Sequence, residues 1–233
     1  RICSVDPSGR GTDETAAAFI SQKNGYLYLH EMRAYRDGYS DTTLLDILRG
    51  CRKYGVTKLL IESNFGDGIV SELFRKHIRQ TTQHIDIEET RANVRKEDRI
   101  IDSLEPVLNQ HRLVVDRSVI DWDYKSNPDA APEHRLQYML FYQMSRMCRE
   151  KGAVKHDDRL DCLSQAVHYY TEALAISADE AMKVKRRDEW NSMLEDFIEN
   201  PKQSVDHLAF GMNKEQRDRA KGLKGGKPLP TWV

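Results

Sequence analysis

The sequence predicts a mixed α/β domain in which three antiparallel strands are followed by parallel strands flanked by helices. Three observations predict it. Ile2 to Asp6 and Thr15 to Ser21 are short apolar runs, and Asn24-Gly25 after them is a hairpin signal. Gly25 to Arg33 sets Tyr26, Tyr28 and His30 alternately against Leu27, Leu29 and Glu31, which is the period of a strand. Leu59, Leu60 and Ile61 run without alternation, as in a central strand covered on both faces.

Taken in order, the first strand ends on the carboxylate of Asp6 and enters a tight loop, Pro7-Ser8-Gly9-Arg10-Gly11-Thr12-Asp13. Ser40-Asp41 caps a helix whose apolar side is Leu44, Leu45, Ile47, Leu48 and Cys51, and Gly55 stops it. Thr57 to Glu62 is the covered strand, again ending on a carboxylate. Ser63-Asn64-Phe65-Gly66-Asp67-Gly68 then leads to a helix from Ile69 to Arg79. Ile85 to Glu89 reads as a strand, Lys96 to Gln110 as a helix, and Arg112 to Asp116 as a short strand or extended segment. A linker, Asn127 to Pro132, precedes a helix from Glu133 to Arg149, and Gly152 leads to a last, acidic helix. Residues 1–200 are expected to form the domain. Residues 201–233 are expected to be a basic flexible tail, in which Arg217, Arg219, Lys221, Lys224 and Lys227 precede the terminal Trp232-Val233.

With 233 residues, 39% of them apolar, the chain is long enough to bury a substantial core. A net charge of -1 excludes a global attraction to nucleic acid, so any such contact must rest on local basic patches. Cys3, Cys51, Cys148 and Cys162 show no CxxC pair and no zinc spacing, and read as buried free thiols suited to a reducing cytosol. No apolar run reaches membrane-spanning length and no signal peptide is visible. The chain starts at Arg1 within a strand, without an initiator Met, which suggests an excised C-terminal domain or a processed product.

The chemistry-bearing stretch is Lys155-His156-Asp157-Asp158-Arg159-Leu160-Asp161-Cys162-Leu163, three carboxylates at the mouth of an apolar helix. One reading is local, since acidic residues cap a helix N-terminus and complement its dipole. The wheel adds a second. Leu160, Leu163, Val167, Tyr170 and Leu174 form one stripe beside another of Cys162, Ala166, Tyr169 and Ala173, while Asp157, Asp161, Ser164 and His168 share a polar strip. Asp158 falls at the margin of the second stripe, where a carboxylate needs a basic partner or a metal ion. Asp6 and Glu62 end strands that, joined by a helical crossover, would emerge side by side. Together with a helix carboxylate they would make an oxygen cage of the kind that holds Mg²⁺ or Mn²⁺. Solvated strand-end carboxylates remain the alternative.

Val5-Asp6-Pro7-Ser8-Gly9-Arg10-Gly11-Thr12-Asp13, Leu60-Ile61-Glu62-Ser63-Asn64-Phe65-Gly66-Asp67-Gly68 and Lys155-His156-Asp157-Asp158-Arg159-Leu160-Asp161 resemble, in order, the motifs of one family. It is the C-terminal nuclease domain of the large terminase subunit, the DNA-packaging motor of tailed bacteriophages, most similar to those of short-tailed phages. The resemblance runs to about residue 175. It implies a ribonuclease H-like fold that cuts double-stranded DNA with divalent metal in the host cytoplasm, with Asp6, Glu62 and a helix Asp as ligands. It also implies partners: an ATPase motor N-terminal to the nuclease, the small terminase subunit, and the portal, to which Trp232 would anchor. No GxxxxGK[ST] loop occurs in this chain.

In a two-metal reading, Asp6 bridges both ions while Glu62 and Asp158 each hold one side. The doublet Asp157-Asp158 leaves the helix ligand open, and Asp161 supplements either; Asp13 and Asp161 would orient water or a ligand. His156 is a surface residue or a proton shuttle. Arg10, Lys96, Lys155 and Arg159 are the basic groups expected to face DNA phosphate. A Holliday-junction resolvase or transposase-like enzyme would use the same carboxylates, and a docking module without catalysis is the third possibility.

Overall fold

Strand β1 (Ile2–Asp6) runs down the middle of a six-stranded sheet. The computed structural model describes residues 1–8, 13–62, 68–81, 83–91, 94–127 and 131–199. The chain divides into two compact units, residues 1–173 and 174–233, and the first contains the sheet.

On one side of β1 the chain meanders. β2 (Thr15–Lys23) pairs antiparallel with β1, and β3 (Tyr26–Tyr35) pairs antiparallel with β2. The turn between them places Asn24 at φ 53 and Gly25 at φ 79, the left-handed pair that a two-residue hairpin needs. On the other side the chain crosses over through α1 (Asp41–Tyr54), so β4 (Lys58–Glu62) lies parallel to β1, and β5 (Asp86–Thr90) parallel to β4. Helices α2 (Ile69–Arg79) and α3 (Lys96–Asn109) flank β5 in the chain, and β6 (Leu113–Val115) adds parallel to β3 at the far edge. The order is β5-β4-β1-β2-β3-β6.

Both ends of α1 follow from local chemistry. Ser40 Oγ accepts the Thr43 N–H, and Gly55 takes φ 62 to close the C-terminus.

The two-residue period of the strands sorts the core into two layers. Cys3, Val5, Ala17, Phe19, Leu59 and Ile61 pack against Leu44, Ile47 and Leu48 of α1 and Val70 and Phe74 of α2. Ile2, Ala16, Ala18, Ile20 and Leu60 pack on the opposite face against Ile100, Leu104 and Val107 of α3. Leu160, Leu163, Ala166 and Val167 complete that second layer; they come from the start of α7 (Asp158–Glu199), whose residues to Ala173 belong to the first unit. Ser4 and Asp6 alternate with Cys3 and Val5, which turns both polar side chains toward α3 and α7. Within the second unit, residues 174–199 continue as helix and carry an exposed Lys185–Glu189 pair one turn apart.

The structure departs from the sequence reading in three places. The helix expected from Glu133 to Arg149 is broken into α5 (Pro132–Arg135), a 3-10 turn (Leu136–Tyr138) and α6 (Leu140–Arg146). Its interruption at Met139 is extended, with ψ 132, because the buried carboxylate of Asp123 accepts the N–H groups of Leu140 and Phe141 and starts a new helix there. Asp123 belongs to α4 (Arg117–Lys125), a helix that the sequence reading passed over; Asp116 caps it by accepting the Ser118 N–H at 2.8 Å. Finally, Cys3, Cys51 and Cys162 are buried free thiols, but Cys148 is exposed. The basic tail and Trp232 lie outside the described residues.

Gly50, on the inner face of α1, sits where a Cβ would meet Phe19 Cζ and lie 2.7 Å from its Cε1. Phe19 is fully buried. Gly50→Ala is therefore expected to destabilise the fold by about 1–3 kcal/mol through overpacking, read as a lowered midpoint in chemical denaturation with unchanged slope.

Candidate metal centre

The register of β1 and β4 builds one side of the centre. Val5 pairs with Ile61, so Asp6 and Glu62, one residue further on, leave the sheet side by side on the face covered by α3 and α7. Asp161, in the first turn of α7, comes down between them. One carboxylate oxygen each of Asp6, Glu62 and Asp161 lies within 4.8 Å of the other two. Asp161 is only 1% exposed, and its position in the first helical turn favours negative charge.

Polar groups hold this geometry from every side. Gln165, one turn along α7, donates Nε2 to Glu62 Oε2 at 2.9 Å and accepts the Ser4 hydroxyl at 2.8 Å. Ser164 Oγ donates to the Asp161 carbonyl. From α3, Lys96 Nζ donates to Asp157 Oδ1 at 2.7 Å and lies 3.2 Å from Asp161 Oδ2. Arg99 Nη2 lies 2.8 Å from Asp161 Oδ1 and 3.6 Å from Glu62 Oε1.

The electrostatics are those of crowded carboxylates. Burial, and then the neighbouring Asp161 and Glu62, hold the Asp6 carboxyl well above the usual range, with Lys96 pulling the other way. Burial works against the Lys96 charge, yet Asp161, Asp157 and Asp6 raise its proton affinity overall. Such a set of hard oxygens in partial burial suits a divalent cation, whose charge would relieve the mutual repulsion of the three side chains.

Asp158, expected as the helix member of this set, is placed elsewhere. Three residues along a helix turn the side chain by about 60° short of a full circle, so Asp161 faces the β1–β4 edge while Asp158 faces the loop before β2. There Asp158 Oδ2 accepts the Glu14 N–H at 3.0 Å, and burial pushes its carboxyl up to about 6 against that bond. It groups instead with Asp13 and His156. The strip that Asp161 and Ser164 share is also not a solvated one, since both are buried under the sheet edge.

The basic residues change most. Arg159, expected to face DNA, is 1% exposed and donates to Glu14 Oε2 at 2.9 Å, to Asp123 Oδ1 at 2.8 Å and to Ser126 Oγ at 2.8 Å. Its charge is consumed inside the protein. Lys96 pairs with Asp157 and Asp161 while its side chain stays 39% exposed. Lys155 is exposed beside a cleft lined by Arg36, His134, Tyr138 and His156. Arg10 lies outside the described residues. His156 is buried rather than at the surface.

Sequence reasoning passed over Ser4, Glu14, Arg99, Asp123 and Gln165. Signals existed for three of them: Ser4 shares the strand face of Asp6, Arg99 follows Lys96 by one helical turn, and Gln165 follows Asp161 by one turn. For Glu14 and Asp123 there was none, because their partners are distant in sequence.

A sheet in which three antiparallel strands lead and two parallel strands follow on the other side of β1, with carboxylates at the ends of β1 and β4, is a ribonuclease H-like architecture. Residues 5–113 match the family Terminase Bacteriophage T7, Ribonuclease H-like domain. It is 42% identical over 212 residues to the terminase large subunit of Enterobacteria phage T3, across 91% of this chain and 35% of that protein. The chain thus spans about a third of the relative's length. Two solved structures are also similar. The nuclease domain of the large terminase subunit gp2 of bacterial virus Sf6 has a TM-score of 0.48 and 13% identity, covering 72% of this chain and 87% of that one. A Mn-soaked, inhibitor-bound human cytomegalovirus terminase nuclease domain also has a TM-score of 0.48 and 13% identity, covering 72% and 82%.

Arg159 joins two buried acids, so Arg159→Met is expected to cost about 3–5 kcal/mol by leaving Asp123 without its cation and Glu14 with only the more exposed Arg36 nearby. Equilibrium unfolding in urea measures it; a loss below about 1 kcal/mol, the worth of an exposed pair, would contradict the buried role.

Proposed function

We propose that this domain is a divalent-metal-dependent endonuclease that cuts double-stranded viral DNA during genome packaging. The observation that carries the reading is the convergence of Asp6, Glu62 and Asp161 at one sheet edge. In this reading Asp6, Glu62 and Asp161 would hold the divalent ions, Mg²⁺ or Mn²⁺, with two expected. Bound there, the metal supplies a water acidified to a nucleophile and a positive charge at the leaving 3′ oxygen.

The chain's own groups do the rest. Gln165 fixes the Glu62 carboxylate through its Nε2, and Ser4 fixes Gln165 in turn. Lys96 and Arg99 hold Asp161 in line from α3 and lower the repulsion among the acids. Exposed Lys155, just before the acidic helix, is placed to meet the phosphate backbone. The relative from phage T3, a terminase large subunit, supports the same assignment. By this reading the domain works in the host cytoplasm as the nuclease end of a motor, with the ATPase, the small subunit and the portal as its partners. Among the described residues no helix is long and apolar enough to cross a membrane.

The test is nicking of supercoiled plasmid with Mg²⁺ or Mn²⁺, and with chelator. Asp161→Asn is expected to abolish nicking, and Gln165→Leu to lower it by about 10–100-fold, the usual effect of loosening a group that orients a metal ligand. Wild-type cutting in chelator, or full activity in Asp161→Asn, would sink the proposal. A four-way junction supplied beside the plasmid separates a resolvase, which would cut the junction in preference.

A further inference from the structure

We infer that Asp13, His156 and Asp158 form a second metal position, one that offers an imidazole nitrogen and so takes Mn²⁺, Co²⁺ or Zn²⁺ in preference to Mg²⁺. One ligand atom of each residue lies within 4.8 Å of the other two. An acidic cluster alone would not carry this. The second observation is the histidine: His156 is 4% exposed, and its Nδ1 has no hydrogen-bond partner among the described residues. That nitrogen lies 3.6 Å from Asp13 Oδ1, too far for a hydrogen bond and close enough for both atoms to ligate one ion.

The surroundings fix the ring rather than satisfy it. His156 stacks on Tyr138 with ring centroids 4.1 Å apart and planes 20° apart, and the Arg36 guanidinium lies 4.6 Å from the same tyrosine ring. Asp158 is likewise oriented: among the described residues it accepts one bond, from the Glu14 N–H, which leaves lone pairs for a cation. Asp13 is 64% exposed, so water can complete the coordination from that side. A buried polar nitrogen without a partner costs free energy, and an ion is the occupant that two adjacent carboxylates also favour. The nitrogen sets the preference, because imidazole suits transition metals whereas Mg²⁺ selects oxygen.

Occupancy would tie the loop before β2, through Asp13, to the start of α7, through His156 and Asp158. The position adjoins the Asp6–Glu62–Asp161 set, since Asp158 and Asp161 lie one helical turn apart. The inference does not rest on the cleavage reading, because it concerns metal uptake alone.

The experiment uses the full chain without an affinity tag and Mn²⁺ as the probe. Free Mn²⁺ is counted by its paramagnetic resonance, and electron spin-echo modulation reports whether a ¹⁴N nucleus is coupled to the bound ion. Wild type is expected to show nitrogen coupling that survives excess Mg²⁺. His156→Ala should abolish that coupling, and Asp13→Asn should weaken uptake at this position about tenfold or more. Asp161→Asn should lose the oxygen-only class and keep the nitrogen-coupled one. Asp13 is largely exposed, so its variant folds even where removal of the stacked imidazole prevents folding. Bound Mn²⁺ without nitrogen coupling in wild type, or coupling and affinity unchanged in both His156→Ala and Asp13→Asn, would overturn the inference. A chain that shows the coupling and cuts no DNA would refute the cleavage reading and leave this one standing.

Discussion

The buried guanidinium of Arg159 is the constraint on which the geometry of the Asp6–Glu62–Asp161 cluster depends. It leaves the first turn of α7 and reaches Glu14, just ahead of β2, and Asp123, on α4. Asp123 in turn starts α6 through two backbone N–H groups, and Gln143 of α6 accepts the N–H of Leu160. The start of α7 is thereby fixed in three directions by hydrogen bonds that cannot slide. Apolar packing alone fixes a helix less sharply, since Leu160, Leu163 and Val167 would tolerate small rotations about the axis. A rotation of the helix by one residue would carry Asp161 away from Asp6 and Glu62.

Concentrating acids at that edge opposes folding, and the chain offsets it with cations from a different helix. Lys96 and Arg99 stand one turn apart on α3, and both reach Asp161. Burial first, and then Asp161 and Glu62, leave Asp6 with a raised proton affinity that Lys96 only partly offsets.

Much of the fold was legible in the sequence because its signals are local. The hairpin at Asn24-Gly25, the capped helix from Asp41 to Gly55, and the uninterrupted strand ending at Glu62 each rest on residues within one element. The parallel pairing of β1 and β4 followed from the crossover rule, and it placed Asp6 beside Glu62. What failed were the features that depend on distant partners. A helical wheel gives the relative directions of Asp158 and Asp161 but not which direction the sheet occupies, and it is Asp161 that comes to Asp6 and Glu62. Arg159 looked like a surface charge because nothing near it in sequence announces Glu14 or Asp123. The continuous helix read from Glu133 to Arg149 had sound periodicity, and only the carboxylate of Asp123, arriving from α4, breaks it at Met139.

The outer strands of the sheet bear on how the protein behaves in concentrated solution. β5 closes one edge with five residues, of which Asp86 and Glu89 are exposed, and β6 closes the other with three. Exposed peptide edges invite a second molecule to add its own strand, and shortness and negative charge both discourage that addition. The apolar strands β1 and β4, which would be the hazardous ones, are enclosed between neighbours. A copy of this domain approaching another edge to edge would meet like charge at one end and little backbone to pair with at the other.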